Sequence, residues 1–192
     1  MRVVLLVAAG LTLASPPSFA RVSQPLGRQP KVQSHLPQPP RLWQDRDGAF
    51  AISRPEGDRW AFRAGIKGPD GEVVPLIAVS SESGAQVVVQ SADAVANLKI
   101  LAGFLAQNLS REQRVHVEEP NRVVARGGEA YGFSFTVADE VRGRVAVVRA
   151  GDRVALLIAS WPLGAPPEVA DDVDEMIGSL GPIPGALPPG AF

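Results

Sequence analysis

Cysteine does not occur anywhere in the 192 residues. Its absence removes disulfide bonds, thiolate metal sites and cysteine nucleophiles, together with the acylated cysteine that anchors a lipoprotein. Histidine is nearly as scarce, with only His35 and His116, so imidazole-based metal or acid-base sites have few places to form. An excess of charge of either sign is also missing. The 19 Lys+Arg stand against 20 Asp+Glu, a net charge of −1, which excludes the basic footprint of a nucleic-acid-binding protein. Lysine occurs only at positions 31, 67 and 99; the arginine bias is read as the composition of a GC-rich genome rather than as phosphate or carboxylate recognition. The apolar run from Val3 to Leu13 is far short of the roughly 20 residues that cross a bilayer, so no stable membrane span is expected.

What is present begins with that same run. Arg2 precedes it, Ser15-Pro16-Pro17 breaks it, and Ser18-Phe19-Ala20 puts small residues three and one positions before a cut. This is the layout of a secretory signal over residues 1–20, with cleavage after Ala20. Residues 21–41 are rich in Pro, Gln and Arg and bury too little to offset ordering entropy, which predicts a disordered, Pro-rich linker. Residues 181–192 read as a flexible Pro/Gly-rich tail. Between them, residues 42–180 are expected to form one folded domain, consistent with 45% hydrophobic and 20% charged residues.

Within that domain the apolar period alternates between two and three-to-four. Residues 49–53, 59–63, 73–80 and 86–90 read as strands punctuated by turn residues. Ser91 then reads as a helix N-cap with Asp93 in the first turn. Val95, Leu98, Leu101, Ala102, Leu105 and Leu109 follow as the stripe of a helix running to about Asn108. Strands are expected over residues 114–118, 129–137, 142–149 and 153–161, the last two joined tightly at Ala150-Gly151-Asp152 and the last buried on both faces. Pro166-Pro167-Glu168 opens a final helix whose stripe is Val169, Val173, Met176, Ile177 and Leu180, stopped by Gly181-Pro182. The whole is an α+β domain, an antiparallel β-sheet of about six to seven strands flanked by two main helices.

Candidate chemistry is thin. His116 and Glu118 sit two apart on one strand face, with Glu119 adjacent, and could hold a divalent cation; a solvated face explains them better. Glu168, Asp171, Asp172, Asp174 and Glu175 lack the alternating ligands and central glycine of a calcium loop and suit a helix start. No Gly-x-Ser-x-Gly elbow occurs, and His116 is the one plausible base for any serine nucleophile. Arg126-Gly127-Gly128-Glu129 precedes a strand, the wrong context for a phosphate loop, and reads as a turn. Asn108-Leu109-Ser110 matches a glycosylation acceptor by chance. Trp161 reads as core; Trp43 beside Arg41 and Arg46 either docks the N-terminal segment or stays partly exposed for peptide or glycan contact, with core packing the preferred reading. Ala102, Gly103 and Ala106 leave room for an apolar ligand between helix and sheet, or else permit close helix packing.

The opening Phe50-x-Ile52-x-x-Pro55, then Trp60, a strand pair and an amphipathic helix resemble the PsbP-like α/β/α sandwich. The aromatic strand from Ala130 to Val137, the run Ala155-Leu156-Leu157-Ile158-Ala159-Ser160 and the closing Ile177-Gly178-Ser179-Leu180 continue the likeness over residues 42–180; the family's usual closing Ser-Phe is Ser179-Leu180 here. The resemblance implies a scaffold that binds other macromolecules, as in extrinsic photosystem subunits and exported bacterial proteins, and transfers no catalytic, cofactor or metal residue. The expected function is therefore an exported, non-enzymatic binding or accessory domain of the cell envelope, soluble in the periplasm or outside the cell. Its expected partner is another envelope or secreted protein. The alternatives are a small hydrolase or metal-assisted enzyme using His116, and a carrier of a small apolar ligand.

Overall fold

The computed structural model describes residues 41–185, apart from 46, 48 and 68–72. The expected secretory signal, nearly all of the expected Pro-rich linker and the end of the expected tail lie outside the described residues. Two short strands, β1 (Leu42–Gln44) and β2 (Ala51–Ser53), form an antiparallel ladder of their own. The turn between them is held by Asp45, a buried carboxylate that accepts the Ala49 N–H at 3.3 Å. Then follow β3 (Ala61–Lys67), β4 (Val73–Ser80), β5 (Ala85–Asp93), α1 (Leu98–Leu109), β6 (Val115–Val117), β7 (Asn121–Arg122), β8 (Ala130–Val137), β9 (Val141–Ala150), β10 (Arg153–Pro162) and α2 (Glu168–Ser179).

Strands β3 to β10 form one antiparallel sheet of eight, ordered β3-β4-β5-β10-β9-β8-β6 with β7 also paired to β8. The α+β sheet with two flanking helices is the architecture expected. The strand beyond the expected six to seven is two-residue β7, too short to leave a periodic signal. Strand β10 pairs along its whole length with β9 and along most of it with β5; it is central, but the expected burial on both faces is complete on one only, since Leu156, Ile158 and Ser160 on the other are half-buried. The hairpin from β9 to β10 turns on Gly151, whose φ of +67° favours glycine.

The entry to α1 differs from the expected one. Ser91 does not cap it and Asp93 is not in its first turn; both lie in β5, opposite Ala155 and Arg153 of β10. Ladder hydrogen bonds to the ten-residue β10 outweigh the local capping preference of Ser91. The cap is Asn97, whose side chain accepts the Ile100 N–H at 3.1 Å.

The sheet has two dissimilar faces. Ala155, Leu157, Ala159 and Trp161 of β10 alternate with Val154, Leu156, Ile158 and Ser160. The first set joins Leu76, Ala78, Val87, Val89, Ala146 and Val148 beneath Val169, Val173, Met176 and Ile177 of α2. Phe50, Ile52 and Trp60 close that core. On the opposite face α1 buries Leu98, Ala102, Leu105, Ala106 and Leu109 and contacts β8, β9 and β6. Strand pairing makes β5 and β6 parallel, so α1 is the crossover between them. Gly181, expected to begin the flexible tail, is buried and exchanges backbone hydrogen bonds with Ala51 at 2.8 and 3.1 Å.

Candidate binding surfaces

His116 lies exposed on β6, the outer strand, opposite Thr136 of β8, and Glu118 and Glu119 just beyond it are exposed too. Among the described residues no group of three or more His, Asp or Glu side chains is close enough to hold a metal ion. The shared strand face anticipated for His116 and Glu118 is thus a solvated one. Replacing His116 by alanine is expected to leave stability within about 0.5 kcal/mol, as for exposed positions free of special contacts, measured by urea unfolding.

Three of the acids of α2 pair with arginines. Asp172 accepts from Arg59 and from the Trp60 indole N–H, each at 2.7 Å. Asp174 pairs with Arg144. Glu175 pairs with Arg41 at 2.8 Å, while another Arg41 nitrogen reaches Glu56 at 2.9 Å. The Glu175 hydrogen bond, helped by the charge of Glu56, raises the Arg41 pKa above its ordinary value. Arg126 instead donates to the Ala51 carbonyl at 2.9 Å, and burial pulls its pKa downward; a guanidinium stays charged regardless. Arg41, Arg59 and Arg144 fasten the chain entering β1, the chain entering β3 and strand β9 to α2, and Arg126 fastens the loop before β8 to β2.

Trp43 is half-buried, packs against the core and meets Phe50 with ring centroids 5.5 Å apart. Trp161 is buried, as its sequence position implies. Ala102 and Ala106 are buried where α1 meets the sheet, so these small residues bring the helix close. Gly103 lies beside them, half-buried with open space around it.

Two surfaces remain that can take a partner. The first is on the α1 side. Ile100 is 70% exposed and Phe104 51% exposed, one helical turn apart. The helix starts near β9's end, where Arg149 donates to the Val95 carbonyl at 3.0 Å, and finishes near the β8–β9 turn, where Ala138 donates to Arg114. It therefore runs antiparallel to β9. In a right-handed helix with Leu98, Ala102, Leu105 and Leu109 facing the sheet, the flank bearing Leu101 and Phe104 is turned toward β10 and β5. There α1 no longer covers the sheet, and Ile77, Val88, Leu156 and Ile158 are only half-buried. Ile77, Val88 and Ile158 lie in register across three strands. An apolar sheet floor thus meets an apolar helix flank.

The second surface is a cleft of about 450 Å³ on the α2 side, lined by Val123, Val124, Gly132, Ser134, Arg144 and Asp174 among others. Sequence reasoning found neither surface. Ile100 and Phe104 fall outside the stripe assigned to α1, and their signal was a helix apolar on more than one face. The cleft residues come from four separate segments.

No family model matches this chain, and no curated protein does. Solved structures do. The cyanobacterial PsbP (CyanoP) from Synechocystis sp. PCC 6803 superposes with a TM-score of 0.53 at 10% identity, over 83% of this chain and 100% of that one. The Saccharomyces cerevisiae Ran-binding protein Mog1p gives 0.51 at 15% identity, over 72% of this chain and 93% of that one. At such identities the likeness is one of fold: the chain has the PsbP-like fold its sequence markers imply. Among the described residues no helix is long and apolar enough to cross a membrane.

Proposed function

We propose that the chain is an exported, non-enzymatic binding or accessory module of the cell envelope, and that it holds a partner protein on the α1 side of its sheet. The observation that carries this is the pair Ile100 and Phe104, exposed one turn apart on the outer side of α1, with a half-buried apolar sheet floor next to that helix. A continuous apolar surface rimmed by polar residues marks an interaction site, and exposed aromatic anchors are the residues that dominate binding energy. Export is supported by the charged, apolar and small-residue order of residues 1–20. Residues 42–180 act as the folded domain in this reading, with residues 21–41 as a spacer and residues 181–192 as a tail. The partner is another envelope or secreted protein. A binding role has a precedent in the fold, since Mog1p is described as Ran-binding.

The test is cross-linking of the mature chain, from Arg21 onward, in native envelope and medium fractions with a photoreactive residue at position 107 of α1. One protein should be captured, and Ile100→Ser/Phe104→Ser should reduce its capture at least tenfold, about 1.4 kcal/mol or more. Thermal stability should be unchanged, because both side chains are exposed. Equal capture by the variant would sink the reading.

A further inference from the structure

We propose that the cleft between the second half of α2 and the β6–β7 edge binds a small zwitterion with an apolar side chain, the chemistry of a free apolar amino acid. The cleft lies on the face of the sheet that carries α2, so it is independent of the partner surface beside α1. Its volume of about 450 Å³ falls within the roughly 300–1,000 Å³ of ordinary ligand pockets.

The cleft exists because its floor is made of small residues. Gly132, Ser134 and Ala146 occupy adjacent positions of β8 and β9. Gly132 has no latitude: a Cβ there would lie 2.7 Å from the Val145 carbonyl oxygen and 3.3 Å from Val123 Cγ1. The edge above the floor is kinked, because Glu118 pairs with Ser134 and Asn121 with Gly132, leaving Glu119 and Pro120 together opposite Phe133. Val123 and Val124 follow as one wall, and Val124 is 88% exposed. Ile177 and Gly178 form the other wall.

The charged groups define the ligand. Arg144 of β9 and Asp174 of α2 both line the cleft and pair with each other, with side chains 35% and 47% exposed. One guanidinium nitrogen and one carboxylate oxygen make that pair, which leaves further donors on Arg144 and a second acceptor on Asp174. A ligand carrying only a carboxylate is drawn to Arg144 and repelled by Asp174. A ligand carrying only an ammonium meets the reverse. A molecule with an ammonium and a carboxylate attached to one carbon satisfies both side chains at once through charge-assisted hydrogen bonds. Its apolar side chain then covers Val123, Val124 and Ile177, removing apolar surface from water. Arg144 sits on a central strand and Asp174 on a packed helix, so the spacing of the charges is held by rigid elements.

The experiment is an NMR titration of the full isotope-labelled chain with L-leucine, N-acetyl-L-leucine and L-leucinamide. The two analogues each keep one charge and mimic the last or first residue of a peptide. Leucine is expected to shift the amides of residues 121–124, 132–134 and 174–178 and to bind at least about tenfold more tightly than either analogue. Gly178→Leu places a side chain in the cleft where an added Cβ meets nothing within 4 Å; it is expected to weaken leucine binding at least about tenfold with the fold intact. Arg144→Gln and Asp174→Asn are each expected to narrow the preference for leucine over one analogue. If either analogue binds as well as leucine, the zwitterion assignment is wrong and a peptide terminus is the better ligand. If none of the three shifts the cleft amides, or if Gly178→Leu binds leucine like the wild type, the site itself is overturned. Because the analogue comparison is made on the unaltered chain, it stands even where a variant misfolds.

Discussion

Gly127→Ala and Gly181→Ala should each destabilise the fold by about 3 kcal/mol, the upper part of the range for forcing atoms into a packed interior. A Cβ on Gly127 would overlap the Arg149 carbonyl oxygen and lie 2.8 Å from Val148 Cγ1. A Cβ on Gly181 would lie 2.5 Å from the Gly127 nitrogen and 2.9 Å from the Arg126 carbonyl carbon. The two glycines mark one crossing, where the loop before β8 passes over the chain leaving α2. Backbone hydrogen bonds tie it: Arg126 N–H to Gly178 at 2.9 Å and Gly127 N–H to Leu180 at 3.1 Å. These bonds satisfy carbonyls at the end of α2 that no following helical turn can reach. Backbone atoms on both sides of the contact cannot rotate aside as a side chain can. For a domain of this size the loss corresponds to a drop in melting temperature on the order of 10 °C, read by circular dichroism. The double variant should depart from the sum of the single losses, because both press on the Arg126–Gly127 backbone, one against β9 and the other from Gly181. Gly128→Ala is the contrast. Its φ is +85° but nothing lies within 4 Å of an added Cβ, so only backbone strain of about 1–2 kcal/mol is expected.

Asp172→Ala is expected to cost about 3 kcal/mol, through loss of two charge-assisted hydrogen bonds and a stranded donor. Trp60 is buried at 2% exposure, and its indole N–H donates to Asp172 Oδ2 at 2.7 Å. Arg59 donates to the same oxygen at 2.7 Å. Removing the carboxylate leaves the indole N–H inside the core with no acceptor while Arg59, partly exposed, can turn to water. Asp172→Asn keeps an oxygen for Trp60 and loses only the charge opposite Arg59, so its expected cost is nearer 1 kcal/mol. Trp60→Phe in the Asp172→Ala background should recover part of the loss, since the stranded donor is then gone. Urea unfolding of the four proteins, followed by tryptophan fluorescence and circular dichroism, gives the comparison. Equal losses for alanine and asparagine would show that the Trp60 hydrogen bond contributes little.

The arginine-rich composition acquires a structural reason from these contacts. Arg41, Arg59 and Arg144 neutralise three acids of α2. The sequence shows an acidic helix start and scattered arginines, and nothing in their spacing pairs them, since 30 to 134 positions separate partners along the chain. The same limit applies to the glycines. Arg126-Gly127-Gly128-Glu129 is legible as a turn and Gly181-Pro182 as a helix stop, yet that one lies against the other is a fact of tertiary packing.

By itself the sequence determined whatever a local period or a missing residue type can determine. Alternation specified the strands of the sheet, the three-and-four spacing specified α1 and α2, and Gly151 specified the tight turn into β10, because side-chain direction and backbone sterics act over a few residues. The spaced aromatic and apolar markers sufficed for the PsbP-like fold. The scarcity of histidine and cysteine narrowed the chemistry before any coordinate was needed. Tertiary structure alone decided the rest. It extended β5 through Ser91 and Asp93 because β10 supplies hydrogen bonds that a cap cannot match. It left Ile100 and Phe104 in solvent because α1 turns Leu98, Ala102, Leu105 and Leu109 to the sheet and these two away from it. It opened a cleft beside the Arg144–Asp174 pair because small floor residues from separate strands fell into register. Each outcome depends on which distant segments share a surface, and a linear chain specifies that only through the sum of its packing.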